Sequence, residues 1–389
     1  MKILYLEWNS YANTYVKEAL MECGHELISF DFPASDNPKS NESVAQQIVL
    51  SIISNQADIC FSLNYYPVAA IACKACNIKY VSWTYDSPYV LLYSDTVFLD
   101  TNYVFIFDKE EYYNLKNLGV SNIFYLPMAF SFAKRNELAD PLNVDYKHDI
   151  AMIGSMYSEA KHNLYGKLNA LSSYERGYLE ALIETQKFTY GVDIITPSLT
   201  DAIIHSMEAN APMRFPEDEL QTPRWTYSNY FLKREVTKRE RKEALDKLSE
   251  GRNVSLFTHE ATPFLTKVNN FGPVDYYTQM PGIMNTSKIN LNITLRSIGS
   301  GMPLRAMDIM GCGGFLLTNF QADFLDFFTP GEDYVYFEGL EDLADKVDFY
   351  LANDSLRRDI AHNAFEKINE SHTYIHRISQ MMDIVLDKN

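Results

Sequence analysis

The segment SGMPLRAMDIMGCGGFLLTNF, from Ser300 to Phe320, carries the most informative pattern of the chain. Glycine and proline at its start are typical of a loop, the apolar residues that follow predict a short helix, and FLLTN predicts a buried strand. One acid, Asp308, interrupts the apolar residues of the helix. Three glycines between positions 311 and 314 end the helix and let the chain turn into the strand. A helix leading directly into a buried strand is typical of α/β folds.

The same alternation of strand and helix continues on both sides of this segment. Strands are predicted for HDIAMIGS, NVSLFTH and KINLNIT before it and for YVYFEG after it, and further helices follow. Residues from about 157 to 250 show helical patterns without strand alternation. We therefore predict a Rossmann-like second domain, residues 147–372, with a helical insertion at about 157–250. The final helix, 373–389, has an apolar face and is expected to pack back on the first domain.

The N-terminal part, residues 1–146, also alternates between strands and helices. KILYLEW, HELISFDF, DICFSLN, YVSWTYD and YVFIFD read as buried strands, and amphipathic segments lie between them. This order predicts a parallel sheet with helices on both faces. The fold class is therefore α/β, with two Rossmann-like domains in series. Ligands of such sheets bind at the carboxyl ends of the strands, so we expect the active site in the cleft between the domains.

Composition and charge restrict the possible functions. A chain of 389 residues exceeds one ordinary core, which agrees with two domains. The net charge of −17 and the pI of about 4.9 argue against nucleic acid as a partner, because such binding requires clusters of basic residues. No segment approaches the ~20 apolar residues of a membrane span. The start of the chain lacks the features of a signal peptide, and five cysteines fit reduced thiols, so we expect a cytoplasmic protein.

The segment from Ser300 to Phe320 resembles the nucleotide-sugar loop and helix of the group-one GT-B glycosyltransferases. Their usual form is EGFPLxxLEAMACGxPV, and here Ser300 occupies the position of the first glutamate and Asp308 that of the second. The chain is more closely similar to the CgeB-like (spore-maturation-protein) glycosyltransferases. The similar parts are Arg305, GCGGFLLTN and HTY in the second half, and DICFSLNYYP, YVSWTYDSP, FIFDKEEYYNLKNLGV and FYLPMA in the first.

This resemblance implies a GT-B fold and the transfer of a sugar from a nucleoside-diphosphate donor to a hydroxyl of a protein, glycan or lipid-linked acceptor. GT-B enzymes stabilise the departing diphosphate with basic side chains and backbone dipoles, so no metal and no cofactor other than the donor is expected. Ser300 departs from the family pattern because it cannot supply the charge of a glutamate. The contact to the donor sugar and the stereochemistry of transfer therefore stay open.

For the donor, the resemblance and the physics of helix ends indicate several residues. Asp308 would accept the ribose hydroxyls, and the loop with Ser300 and Gly301 would present backbone N–H groups to the diphosphate. Arg305, three residues before Asp308, would act on the diphosphate as a catalytic residue, although an ion pair with Asp308 explains it equally well. Arg296 is a further candidate.

Other candidates for the donor site carry weaker signals. Lys288 precedes KINLNIT, and a solvated charge is the competing explanation. Gly154 and Ser155 follow the first strand of the second domain and would face the diphosphate, although a plain turn gives the same pattern. Val274 and Tyr276, in PVDYYTQMP, would contact the nucleotide base.

On the acceptor side, Asp86 follows the buried strand in SWTYDSPY. It is a candidate general base for the acceptor hydroxyl, and a turn acid before Pro88 is the alternative. Asn64, Tyr65 and Tyr66 end the preceding strand and would line the acceptor site.

Two other functions remain compatible with the sequence. A sugar-nucleotide epimerase of GT-B fold would need a donor but no acceptor. A catalytically degenerate domain would act as a binding or scaffold protein, which the missing first glutamate permits.

Overall fold

The computed structural model describes residues 1–33, 41–131, 138–215 and 219–386. The chain forms two compact units. The first contains residues 1–131, 216–221 and 371–389, and the second contains residues 132–215 and 222–370. In the described ranges, no helix has both the length and the apolar character needed to cross a membrane.

The first unit is built on a parallel sheet of six strands in the order β2-β1-β3-β4-β5-β6. Its elements are β1 (Lys2–Glu7), α1 (Asn13–Glu22), β2 (Glu26–Asp31), α2 (Glu42–Asn55), β3 (Ile59–Leu63), α3 (Pro67–Cys76), β4 (Lys79–Thr84), β5 (Asn102–Ile106), α4 (Lys109–Asn117), β6 (Ile123–Tyr125) and the last helix of the chain, α14 (Tyr374–Val385).

The apolar runs of the sequence become the central strands of this sheet. Every residue of β3 is buried, and β1 is buried except at its two ends, because helices cover both faces of a parallel sheet. The helix α14 packs against α1, and the Tyr374 ring lies 5.8 Å from that of Tyr15 and 5.9 Å from that of Trp83. The final helix is thus an integral part of the first unit.

The second unit has its own parallel sheet, in the order β12-β11-β10-β7-β8-β9. Its elements are β7 (His148–Ile153), α5 (Ser173–Lys187), α6 (Ile195–Ser198), α7 (Asp201–Asn210), α8 (Pro223–Thr226), a π-helical turn (Tyr227–Leu232), α9 (Lys233–Leu248), β8 (Val254–Phe257), β9 (Asn269–Asn270), α10 (Met280–Asn285), β10 (Ser287–Asn292), α11 (Leu304–Gly311), β11 (Leu316–Asn319), β12 (Val335–Phe337), α12 (Leu340–Ala352) and α13 (Asp354–Ser371).

The helices between β7 and β8 have an apolar cluster of their own. Leu179 and Ile183 of α5 pack there with Ile203 of α7 and Val236 of α9. The other face of α9 contributes Leu245 and its neighbours to the core of the sheet. The helix α9 therefore joins the insertion to the sheet.

The sequence-based division at residue 146 stays a prediction. By compactness, the first continuous segment of the first unit is residues 1–131. Residues 219–221 also belong to the first unit, and Glu219 forms an isolated bridge with Ser94. This bridge is a short contact between segments that are distant in the chain, and no periodic pattern of the sequence predicts it.

Candidate functional site

Asp308 lies on α11 with its side chain buried. Its Oδ1 atom accepts a hydrogen bond from the Tyr276 hydroxyl at 3.3 Å. Its Oδ2 atom is also buried and accepts no hydrogen bond from any residue that the structure describes. Burial raises the pKa of Asp308 to about 8, although Tyr276 and the charge of Arg305 act to lower it. A buried acceptor without a donor is costly, so this position is suited to a ligand that supplies hydroxyl groups.

Arg305 extends from the same helix toward the end of β7. Gly154 has a φ of 144°, which favours glycine, and a Cβ atom there would lie 2.5 Å from an Nη atom of Arg305 and 2.8 Å from its Cζ, so a side chain would displace the guanidinium. Arg305 also donates a long hydrogen bond, 3.4 Å, to the buried Asn292 at the end of β10. The structure thus places Arg305 against Gly154, at the end of β7, and within electrostatic reach of Asp308.

The loop before α11 is held in place by residues that follow β11. The amide of Asp323 donates to the carbonyl of Ser300 at 3.0 Å, and the Gln321 side chain donates to the carbonyl of Gly301 at 3.3 Å. Both contacts use carbonyl oxygens of the loop. Pro303 directly precedes the helix and lacks an N–H group.

The loop after β7 surrounds a carboxylate of the protein itself. Oε1 of Glu260 accepts hydrogen bonds from the Ser155 hydroxyl and the Met156 amide, both at 2.5 Å, and from the Tyr157 amide at 3.1 Å. Oε2 accepts one from the Ser158 amide at 2.7 Å and another from the Ser158 hydroxyl. Burial tends to raise the pKa of Glu260, but these hydrogen bonds outweigh it and lower the pKa to about 2.

This arrangement corrects the expectation for Ser155. Its hydroxyl and the three following amides point at Glu260, so they are already occupied as anion donors. Gly154 stays a candidate residue of the donor site, because it lies against the guanidinium of Arg305.

Two other basic residues of the predicted donor site have structural roles. Arg296 pairs with the buried Glu240 through two hydrogen bonds of 2.7 and 2.5 Å, and its guanidinium lies 3.9 Å from the centre of the Tyr190 ring. It thereby attaches the insertion to the segment after β10. Lys288 forms an ion pair of 2.6 Å with Asp149. Both residues of that pair lie near the amino ends of their strands, at the edge of the sheet opposite to Asp308.

Val274 and Tyr276 lie in the segment that precedes α10, and both are half-buried. Tyr276 contacts Asp308 through its hydroxyl, as described above. The assignment of both residues to the nucleotide base stays a prediction.

In the first unit, Asn64 and Asp86 lie at the carboxyl ends of β3 and β4. The buried Asn64 side chain donates to Oδ2 of Asp86 at 2.8 Å and accepts from the Tyr85 amide at 3.1 Å. Asn64 has a φ of 62°, a left-handed conformation that asparagine tolerates. Asp86 is exposed to solvent, yet the surrounding protein desolvates its carboxylate and raises its pKa, which the bond from Asn64 only partly offsets.

The two tyrosines after Asn64 are buried. The Tyr65 hydroxyl is hydrogen-bonded to Thr96 at 2.8 Å, so Tyr65 belongs to the core and cannot line an acceptor site. The ring of Tyr66 packs against Phe32, with ring centres 4.6 Å apart, and against Trp8.

Three residues of these sites escaped the sequence analysis as functional candidates. Glu260 follows β8 at a strand end in FTHEATP, a segment for which the sequence favoured a surface position, and Asn292 ends β10 in a run of apolar and amide residues. Glu111 lies on α4 and is buried, and burial and the charge of Asp108 raise its pKa to about 8. The position of Glu260 and Asn292 at the carboxyl ends of strands is the sequence signal that indicates a site.

Comparison with known proteins agrees with this geometry. Residues 238–383, which include α11 and the loop before it, match the family model described as glycosyl transferase-like. No curated protein matches the sequence significantly.

Solved structures resemble the whole chain. A glycosyltransferase from Rickettsia africae ESF-5 has a TM-score of 0.56 and 12% identity, with 100% of this chain and 99% of the other covered. Alr3699/HepE from Anabaena, solved in complex with UDP-glucose, has a TM-score of 0.55 and 9% identity, with both chains fully covered. Sucrose-phosphate synthase from Thermosynechococcus elongatus has a TM-score of 0.55 and 10% identity, again with both chains fully covered.

The chain has the GT-B fold. This conclusion rests on the two six-stranded parallel sheets with their helices and on the full coverage of these structures. At identities this low, the likeness establishes the fold and leaves the chemistry to the site residues.

Proposed function

We propose that this protein is a glycosyltransferase of the CgeB-like type that moves a sugar from a nucleoside-diphosphate donor to an acceptor hydroxyl. The observation that carries the proposal is the buried Oδ2 atom of Asp308, which no described residue satisfies, beside the guanidinium of Arg305. A ribose supplies hydroxyl donors and a diphosphate supplies negative charge, so one nucleotide satisfies both groups. The family match over 238–383 and the UDP-glucose complex of the Anabaena protein support the same ligand class.

In this proposal the donor is held by the second unit. Asp308 accepts the ribose hydroxyls, and Arg305 and the N–H groups of the loop before α11 hold the diphosphate. Gly154 permits close approach because it carries no side chain beneath Arg305. The enzyme uses neither a metal nor a cofactor besides its donor substrate, and it acts in the cytoplasm.

The acceptor is activated by Asp86 of the first unit. Its carboxylate takes the proton of the acceptor hydroxyl, and the acceptor oxygen forms the new bond to the anomeric carbon of the donor sugar. The bond from that carbon to the diphosphate oxygen breaks, and its electron pair leaves with the nucleoside diphosphate. Arg305 stabilises the charge that develops on this leaving group. The raised pKa of Asp86 suits a base that must accept a proton near neutral pH.

Calorimetric titration with UDP and other nucleoside diphosphates tests the donor site. Asp308→Asn should weaken binding by about 1–3 kcal/mol, because the amide cannot accept two hydroxyls as a carboxylate does. Asp149→Asn is the matched control, since Asp149 lies at the opposite edge of the same sheet. Equal affinities for all three proteins would refute the ribose assignment.

A panel of nucleotide sugars then separates the possible activities. A transferase releases the nucleoside diphosphate and gives a glycosylated acceptor or free sugar. An epimerase converts the donor without an acceptor, and a binding protein leaves every donor intact. Either of the last two outcomes would contradict the proposed function.

A further inference from the structure

The carboxyl edge of the first sheet has features that the general proposal of a hydroxyl acceptor does not use. The strand order places β1 beside β3, with β2 on the outer side of β1. Strand connections change direction at this point, and ligands of open α/β sheets bind at such switch points. Trp8 directly follows β1, Asn64 directly follows β3, and Tyr85 and Asp86 directly follow β4.

Aromatic side chains concentrate at this edge. The rings of Trp8 and Tyr85 are nearly parallel, at 7° with centres 6.3 Å apart, and Tyr66 meets Trp8 edge-on at 6.2 Å. Tyr11 lies in the same loop as Trp8 with 59% of its surface exposed, and it influences the pKa of Tyr85. We call Trp8, Tyr11, Tyr66 and Tyr85 the aromatic edge.

The loop that carries Trp8 and Tyr11 is held rigidly. The indole Nε1 of Trp8 donates to the carbonyl of Leu63 at 2.9 Å, which fixes the ring beside β3. The buried Asn13 donates to the Trp8 carbonyl and accepts from the Tyr5 hydroxyl at 2.8 Å. A loop fixed in this way presents its aromatic surface with little loss of conformational entropy on binding.

The carboxylate of Asp86 acts on Tyr85 at the aromatic edge, whereas Glu7, directly before Trp8, is neutralised by Lys17 at 2.8 Å. Asp86 is exposed there and oriented by Asn64, and no lysine or arginine of the described ranges contributes to its pKa. Glu111 lies behind it, where Asp108 and Asp86 both act on its carboxyl group. Its Oε2 atom is buried without a donor from the described residues. The carboxylate of Asp86 would therefore repel an anionic ligand at this edge.

A neutral saccharide satisfies this combination of groups. The C–H groups on one face of a pyranose ring pack on aromatic rings, and its hydroxyl groups donate to a carboxylate. Uronic acids and phosphorylated acceptors also carry such rings, but the Asp86 carboxylate would repel their negative charge.

On the basis of the proposed function, we propose that the aromatic edge binds the acceptor as a neutral saccharide, whose reacting hydroxyl faces Asp86. The ring of the acceptor packs on Trp8, Tyr11 and Tyr85, and Asn64 keeps the carboxylate of Asp86 directed toward it. This assigns the acceptor to glycans without phosphate or carboxylate groups at the site of attachment.

Fluorine NMR of the full chain labelled with 5-fluorotryptophan tests binding directly. The chain has three tryptophans, of which Trp83 is fully buried and Trp225 lies in the second unit. Neutral oligosaccharides such as maltotriose, cellotriose and chitotriose, added in the presence of UDP, should shift the resonance of Trp8 and leave that of Trp225 in place. The Trp8→Phe variant assigns the resonance.

Kinetics with the saccharide that binds provide the second measurement. Tyr11→Ala should raise the acceptor KM by about tenfold with a smaller change in kcat, since stacking contributes to binding of the acceptor. Tyr174→Ala is the matched control, because Tyr174 is an exposed tyrosine of the second unit, and it should change neither constant.

The outcomes distinguish this inference from the proposed function. If UDP binds at Asp308 but neutral saccharides leave the Trp8 resonance unmoved, the inference is wrong and the donor site stands. Preference for phosphorylated or uronic acceptors over neutral ones also overturns it. If no nucleoside diphosphate binds at all, the proposed function fails, and the acceptor inference fails with it.

Discussion

Replacing Glu260 with glutamine should loosen the loop after β7 and lower the stability of the second unit. The pKa of this carboxyl falls from 4.5 to about 2 in the folded protein, because five hydrogen bonds from Ser155 to Ser158 converge on it. A pKa difference of this size corresponds to about 3 kcal/mol of unfolding free energy at neutral pH. Glutamine keeps one acceptor oxygen and loses the charge, so we expect a loss of about 2–3 kcal/mol.

The contribution of Glu260 to the free energy of unfolding should increase with pH. The folded pKa of Glu260 lies below the unfolded value, so its stabilising effect is complete above about pH 4.5 and disappears as the pH falls toward 2. The difference in stability between the wild type and Glu260→Gln should therefore be constant from pH 6 to 8, fall to less than half of that value at pH 3 and become small near pH 2.

Amide hydrogen exchange gives a local measurement of this effect. The peptide that contains Met156, Tyr157 and Ser158 should exchange faster in Glu260→Gln at pH 7, since its amides lose their charged acceptor. Because two units need not unfold in one step, this local readout is preferred to a single melting temperature. Glu159→Gln is the control, as Glu159 belongs to the same loop but pairs with Lys161 near the surface.

Two results would refute this reasoning. Unchanged protection of the three amides in Glu260→Gln would show that the carboxylate does not organise the loop. A stability difference that is as large at pH 3 as at pH 7 would show that the effect of the substitution does not come from charge.

Three further expectations follow from the structure. Asp308→Asn should stabilise the protein while it weakens nucleotide binding. The folded pKa of Asp308, about 8, exceeds the ordinary 3.8, so the wild type loses stability as the pH rises from 4 to 8. Thermal melts at pH 8 should therefore show a higher melting temperature for the variant. Deletion of 374–389 removes five buried apolar side chains of α14, and burial of each stabilises the fold by about 1.5–3 kcal/mol. Limited proteolysis of the deletion variant should therefore cut within residues 1–131. Resistance to proteolysis equal to that of the full chain would contradict this expectation. Transferase activity should survive excess EDTA, and its loss with rescue by manganese would contradict the metal-independent proposal.

The architecture was predictable because its signals are local. Continuous apolar runs such as DICFSLN and GFLLTN favour buried strands, and each became an interior strand of a parallel sheet. The short β9, Asn269–Asn270, was not predicted, since two polar and exposed residues carry no periodicity. The bridge between Glu219 and Ser94 was not predicted for a similar reason, as it joins distant parts of the chain.

The assignment of the candidate site to a nucleotide sugar stays a prediction. Asp308, Arg305 and Gly154 come together because α11 carries two of them on one face and the parallel sheet places the end of β7 nearby. Tyr65 was misplaced because side chains alternate at a strand end, and a shift of one residue turns a lining residue into a core residue.

The sequence by itself determined the order of strands and helices and the position of Asp308 on a helix behind a loop, because such features depend on residues close together in the chain. The tertiary structure alone decided which charged groups remain available to a ligand. Arg296 is neutralised by Glu240, 56 residues away, and Lys288 by Asp149, 139 residues away. Ion pairs of this kind form only when folding brings distant elements together, and a linear sequence does not specify their partners.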